Sequence, residues 1–520
     1  MKSTDVTLQP HPMPRVWPSV VHMLAHAAAV DPAHDAVVLG EQRLSYGELA
    51  RCVTVFARDL RALKIDAGCR VALLMNNSID MVVAIFGVQA AGAQLVPLNP
   101  AYTAAELGPI LDDADCLAVV YDKTVAPRLA DLLDRFDADL RIAVGPGDRS
   151  LTSCNDTSAI GTMPLPAPGD LSMLLYTGGT TGRSKGVDLL HKAIAVNVSQ
   201  RGALLPAREA KERVLVVTPL YHSYALSTSF TTVLSRGTLI LIDRYQADAV
   251  LRLIDAAQVS ILAGSPTIFV GLLACDAMVS ASLDSLVYAY SGSAALSMET
   301  LRMWEQRTGT IVVEGYGQTE AGPVLTYNPL AGPRKTGSVG VAVPLTEVQI
   351  VDLETGQRVL GPGEIGEIRA RGPQIMQGYR GLPDETAAAL RGGWLYTGDI
   401  GEVDAQGYFS IRDRKKDMVI VSGFNVYPRE VEEALFSHPL VREAAVVGVP
   451  DDYRGESLVA LVVPSAEGLT ETQLREYLAQ RLVKYKIPAR IDLVRSLPKT
   501  PVGKTDKVSI RQSLRRAVSP

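Results

Sequence analysis

Short apolar runs alternate with helix-length segments through roughly the first four hundred residues: RVALLM, AQLVPL, LAVVYD, RVLVVTPL, GTLILID, VSILAGSP, SLVYAYSG and GTIVVEGYG. The runs are continuous rather than alternating, as in strands covered on both faces. With helices between them they predict a parallel α/β sheet. Ligands then gather at strand C-termini, where several of these runs end in Gly, Ser, Thr or Pro. The stretch Met81 to Leu98 reads as a buried helix followed by a strand. Gln89, Gln94, two glycines and Pro97 interrupt it too often for a membrane span. From about Gly337 the texture changes to short strands between Gly and Pro turns: GSVGVAVP, EVQIVD, GEIGEIRARGP and GYFSIRD. These predict a smaller antiparallel unit, a small β-barrel. Beyond the charged cluster Asp413 to Asp417, a helix (YPREVEEALFSHP), a strand (EAAVVGVP) and a second helix (ETQLREYLAQRLV) predict a compact α+β tail.

Composition narrows the class. A chain of 520 residues exceeds what one hydrophobic core usually serves, so two or three units are expected. Hydrophobic residues at 47% and charged residues at 21% describe an ordinary globular protein. Fifty-one basic against 56 acidic residues leave a net charge of −5 without like-charge runs, so there is no nucleic-acid footprint. Five scattered cysteines, an odd number with no CxxC pair, argue against a disulfide framework or a zinc site and fit a reducing cytoplasm. The N-terminus lacks the apolar core of a signal peptide. Oligomeric state is left open, a homodimer included.

The densest candidate chemistry is YTGGTTGRSKGV, Tyr176 to Val187. Glycines after a strand let backbone N–H groups turn inward to cradle an anion, and Thr177, Thr180, Thr181 and Lys185 add hydroxyls and a mobile cation. A Walker A loop requires lysine directly after the last glycine. Lys185 instead follows Gly182 by three.

This loop resembles the phosphate loop of the AMP-forming acyl-CoA synthetase, or adenylate-forming, superfamily. Two positions depart from the usual pattern: Gly178 stands for serine and Ser184 for proline. Seven further segments follow in the family's order and spacing: LSYGELA, PLYHSYAL, SGSAAL, EGYGQTEAGP, GWLYTGDI, IRDRKKDMVIVSGFNVYPREVEE and LPKTPVGK. Fold, activity and site follow as implications of that resemblance. The fold is α/β: a large N-terminal domain of parallel α/β sheets with a small β-barrel unit (1–414) and a small mobile α+β C-terminal domain (415–520). The activity is ATP-dependent activation of a carboxylic acid, through an acyl-adenylate, to a coenzyme A thioester.

The resemblance also implies roles. Thr177, Gly179, Thr180, Thr181, Gly182 and Lys185 would hold the ATP phosphates. Ser293, Ala294, Tyr316 and Gly317 would line the nucleotide, with Tyr316 against adenine. Thr319 would touch the α-phosphate, and Glu320 would hold Mg2+ through a hard oxygen ligand. Asp399 would accept from the ribose hydroxyls beside Arg414. His222 would gate the carboxylate site without transferring a proton. Lys504 would bridge carboxylate and α-phosphate, with Thr505 a departure beside it. Lys416 would be the hinge of a domain rotation that exchanges Lys504 for a pantetheine tunnel passing Gly423. Arg429, Arg454, Lys484 and Lys486 are candidates for the coenzyme A phosphates.

The acid pocket is expected from Tyr224 to Phe230, Ser265 to Gly271, the SGSAA segment and the residues after Tyr316. None of these segments contains lysine or arginine, which favours a neutral acid over a dicarboxylate. The C-terminal segments look most like the fatty-acyl branch, so a medium- or long-chain fatty acid is expected. Aryl or alicyclic acids, and loading of a carrier protein, are the alternatives. Fatty acyl-AMP ligases usually carry an insertion near the domain junction, and none is present.

Overall fold

The continuous apolar runs become the inner strands of two large sheets. The structure, a computed structural model, describes residues 12–145, 149–154, 162–177, 184–451, 453–500 and 504–518. Gly178, Gly179, Thr180, Thr181 and Gly182 lie outside the described residues.

One sheet has nine strands. Its parallel centre runs through Val312–Gly317, Tyr288–Ser291, Ile261–Gly264, Arg213–Val216, Thr238–Leu241 and Asp35–Leu39. The seven-stranded sheet has Leu171–Thr177, Gln94–Pro97, Arg70–Leu74, Ala118–Asp122 and Arg141–Val144 as its parallel part. Both sheets are mixed rather than purely parallel, because hairpins add antiparallel strands at their edges. The glycine-threonine loop therefore joins two antiparallel neighbours, Leu171–Thr177 and Lys185–Leu190, with Thr177 opposite Lys185.

Between the two sheets lies the helix Ile79–Ala91, the expected buried helix. Ser78 Oγ caps it by accepting from the Met81 N–H, and Gly92, at φ +96°, ends it in the left-handed conformation. Every residue of it except Asp80 is buried. One apolar cluster joins Phe86 to Val37 and Leu241 of the first sheet and to Val71 and Leu95 of the second.

The antiparallel unit is a curled five-stranded sheet, an open half-barrel rather than a closed one, built from Glu347–Val351, Gly366–Arg371, Trp394–Val403, Leu390–Arg391 and Phe409–Arg414. The C-terminal sheet comprises Phe424–Val426, Val419–Val421, Gly455–Pro464, Val441–Asp451 and Arg490–Leu493. Helices Pro428–Phe436 and Glu471–Ala479 share a core with one face of it, and Lys507–Val518 covers the other. Among the described residues no helix is long and apolar enough to cross a membrane.

Candidate active site

The strand Val312–Gly317 delivers the EGYGQTE segment to the rim of the nine-stranded sheet and stops in a tight turn, Thr319–Ala321. Gly317 is required there. A Cβ on it would lie 1.8 Å from the Pro323 carbonyl oxygen, so backbone meets backbone. Tyr316, one residue earlier, donates its hydroxyl to Asp399 Oδ2 at 2.6 Å.

Asp399 sits within the strand Trp394–Val403, only 6% exposed and directly opposite Arg414 in the pairing register. Arg414 Nε lies 3.4 Å from its Oδ1, while the Arg414 side chain stays 53% exposed at the mouth. Burial pushes the Asp399 carboxyl above the usual carboxylate range, against the opposing pull of Arg414, the Tyr316 hydroxyl and Lys504.

Lys504 reaches this spot from the other end of the chain. The backbone around it is pinned by Thr500 N–H to Lys504 O at 2.7 Å and by Lys504 N–H to Thr500 Oγ1 at 3.1 Å. Thr505 belongs to the same turn, pairing with Lys499 and receiving a hydrogen bond from its Nζ at 3.3 Å. Burial, then the Arg414 charge, lower the Lys504 ammonium to about 8, with Asp399 pulling the other way. His222 caps the helix Ser223–Leu234, its Nδ1 accepting from the Tyr224 N–H at 3.3 Å. Burial and the Lys504 charge push its imidazolium down to about 3. His222 is thus neutral at any ordinary pH.

Thr319 Oγ1 lies 3.4 Å from Ser223 Oγ. Glu320 Oε1 accepts from the Tyr379 hydroxyl at 2.8 Å. Tyr379 also lies under Lys185, whose Nζ is 5.0 Å from the ring centre and 2.5 Å from Glu385. Among the described residues no three His, Cys, Asp or Glu side chains gather as a metal site. A single carboxylate suits Mg2+, which usually completes its shell with waters and substrate phosphates.

Ser293 adopts φ +72°, an uncommon conformation for a residue with a side chain, in the exposed turn that also holds Ala294. Gly423 follows Ser422 in a two-residue hairpin turn at φ +84° and +51° respectively, with open space where a Cβ would stand. Lys416 lies in the exposed turn between the curled sheet and the C-terminal sheet. Of the basic candidates, Arg429 is engaged inward, with Nη1 donating to Ile411 O at 3.1 Å, and Lys486 pairs with Glu430 at 2.7 Å.

The structure thus gathers Tyr316, Thr319, Glu320, Asp399, Arg414, His222 and Lys504 at one rim, with Thr177 and Lys185 at the start and end of the loop. Sequence reasoning missed Ser223, Tyr379 and Glu385, which belong to no glycine-rich or charged motif. It also missed one cation. Arg201, from the helix His191–Leu204, packs against Thr228 and Tyr290 beside the acid-pocket segments, although those segments contain no basic residue.

A rim of this composition, carried by two mixed α/β sheets and completed by a lysine from an α+β unit, defines an adenylate-forming enzyme. Residues 24–380 match the AMP-binding enzyme family and residues 430–504 match the AMP-binding enzyme C-terminal domain. The chain belongs to that family and is an AMP-forming acid–CoA ligase. It is 35% identical to a long-chain-fatty-acid–CoA ligase of Bacillus subtilis, over 95% of this chain and 94% of that one. It is 36% identical to a feruloyl-CoA synthase of an Amycolatopsis species, over 93% and 97%. Among solved structures, MatB from Rhodopseudomonas palustris with ATP bound superposes with a TM-score of 0.87 at 33% identity, covering 96% of this chain and 100% of that one. The apo form of the same protein gives 0.77.

Proposed function

We propose that the chain activates a hydrophobic carboxylic acid in two steps. The carboxylate attacks the α-phosphorus of ATP and pyrophosphate departs, leaving an acyl-adenylate; the thiol of coenzyme A then takes the acyl group and AMP leaves. The observation that carries this reading is the position of Lys504, a cation brought in from the C-terminal unit to Asp399, Arg414 and His222. Two anions must meet for the first step, and a preorganised positive charge between them is the most effective aid the protein can give. The closer match to ATP-bound than to apo MatB supports the view that this arrangement is the adenylating one.

The remaining roles follow. Thr177, Lys185 and the loop residues 179–182 hold the β- and γ-phosphates, for which Lys185 must leave Glu385. Ser293, Ala294, Tyr316 and Gly317 line the nucleotide. Asp399, whose Oδ2 serves Tyr316 and whose Oδ1 lies 3.4 Å from Arg414 Nε, keeps spare lone pairs for the ribose hydroxyls. Thr319 meets the α-phosphate, and Glu320, steadied by Tyr379, would hold Mg2+, which supplies charge neutralisation when bound. Residues 1–414 and 415–520 act as two domains, Lys416 is their hinge, and Gly423 lines the pantetheine path.

For the acid, the Bacillus relative favours a medium- or long-chain fatty acid. The rings of Tyr224 and Tyr290, which meet edge to face with centres 5.6 Å apart, together with the feruloyl-CoA synthase, favour an aryl acid as second reading. The test is Lys504→Ala, assayed separately for the two steps. We expect adenylate formation to fall about 100–1000-fold while thioester formation from supplied acyl-adenylate persists. Equal loss of both steps would rule out the assigned role.

A further inference from the structure

Arg201 is 3% exposed, yet among the described residues no carboxylate pairs with it. Its Nη1 donates to Thr228 Oγ1 at 3.3 Å and Thr231 Oγ1 at 3.4 Å. Both hydroxyls spend their own protons elsewhere and so face Arg201 as acceptors: Thr228 donates to Tyr224 O at 2.9 Å and also accepts from the Tyr290 hydroxyl at 2.6 Å, and Thr231 donates to Ser227 O at 2.7 Å. The guanidinium carbon lies 4.4 Å from the Tyr290 ring centre and 5.7 Å from that of Tyr327. Nε is fully enclosed and has no acceptor. Stability alone does not call for this arrangement, since an apolar side chain would fill the space without a desolvated charge or an orphaned donor.

Its location suggests a use. Tyr224, Thr228 and Thr231 follow one another along a single face of the helix Ser223–Leu234. Ser223, at the start of that helix, touches Thr319. Thr228 and Thr231 lie five and eight residues further on, which at 1.5 Å per residue is about 7.5 and 12 Å along the axis. The guanidinium therefore stands about 8–12 Å from the reacting end, with the aromatic pair Tyr224 and Tyr290 between.

We propose that Arg201 is the far-end recognition group of the acid pocket, and that the acid this chain activates carries an oxygen acceptor, a hydroxyl or a second carboxylate, at about that distance from its reacting carboxylate. An acid with a plain hydrocarbon end leaves the buried donors unanswered, and a site built to hydrogen-bond its substrate rejects the analogue lacking the partner. This rests on reading the chain as an acid–CoA ligase whose carboxylate site adjoins Thr319. It replaces the expectation of a wholly neutral pocket, and of the acids named above it disfavours an unsubstituted medium- or long-chain fatty acid.

The test compares matched acids by AMP release in the presence of coenzyme A: para-hydroxycinnamate against cinnamate, and omega-hydroxyoctanoate against octanoate. The wild type is expected to favour the oxygenated member of at least one pair by about tenfold or more in kcat/KM. Response of the first pair identifies an aryl acid, and of the second an omega-oxidised aliphatic one. Arg201→Met, with its unfolding midpoint measured alongside, should bring the ratio to about one. If that variant does not fold, Arg201→Lys, which retains charge but loses the planar fork, should lower the ratio severalfold. An unchanged ratio in the folded variant overturns the subsite and leaves the ligase reading standing. Failure of the wild type to release AMP with any acid overturns both.

Discussion

A buried ammonium gives up its proton early, the more so beside a guanidinium, and Lys504 is such a group. Its value of about 8 means that it is charged below that pH and neutral above it. The free amine cannot draw two anions together. We expect kcat/KM for adenylation to fall as pH rises through about 8, approaching tenfold per unit. Bound ATP brings negative charge that holds the proton on, so the corresponding limb in kcat should lie higher. Pyrophosphate exchange at varied pH, which bypasses the thioester step, is the measurement. His222 should add no acidic limb in the working range, because its proton is already gone. At this scale the motif residues were legible because each sits in a short segment with its own chemistry. Tyr379 and Arg201 were not. Tyr379 bonds Glu320, fifty-nine positions away, and Arg201 bonds Thr228, twenty-seven away, and no local pattern marks either pairing.

Elements whose residues shared one character were readable, and those of mixed character were not. The inner strands are continuously apolar and the helix Ile79–Ala91 is so apart from Asp80 and Gln89, and their burial follows. The helix Ser223–Leu234 is rich in serine and threonine and shows no apolar period, yet most of it is buried. Three of its hydroxyls are satisfied by its own carbonyls four residues back: Thr228 to Tyr224, Ser229 to Ala225 and Thr232 to Thr228, each at 2.9 Å. The hairpin additions at the sheet edges were also invisible, since a short strand such as Gly378–Tyr379 carries too few residues for a pattern. The sharpest constraint at this scale is the turn after Val312–Gly317. Gly317→Ala forces a methyl onto the Pro323 carbonyl, where neither atom belongs to a flexible side chain. We expect a loss of at least about 1–3 kcal/mol in denaturant unfolding, accompanied by a raised KM for ATP because Tyr316 and Thr319 shift with the turn.

For the whole molecule the proposed two-step cycle requires that one lysine be both present and removable. Asp417 and Met418 N–H groups both bond Arg414 O, and the Lys416 N–H takes no part in that turn. Proline at 416 thus removes no hydrogen bond while stiffening the backbone torsion that a rotation must change. Lys416→Pro should keep adenylation near its original rate and lose thioester formation by about tenfold or more, measured as adenylate accumulation in a single turnover. Retention of both steps would place the hinge elsewhere. The order of the units along the chain was legible from the change in strand texture near Gly337 and the charged cluster at Asp413 to Asp417. The docking of the last unit onto the rim was not, since it depends on surfaces more than a hundred residues apart.

The helix Ile79–Ala91 has a consequence for how the molecule comes apart. Buried on all sides but one residue, it supplies core to both large sheets at once. Neither sheet can release it without exposing the other. The two large sheets are therefore expected to melt as a single cooperative block, and the C-terminal sheet with its helices, having an apolar core of its own, is expected to unfold separately from it in a calorimetric scan.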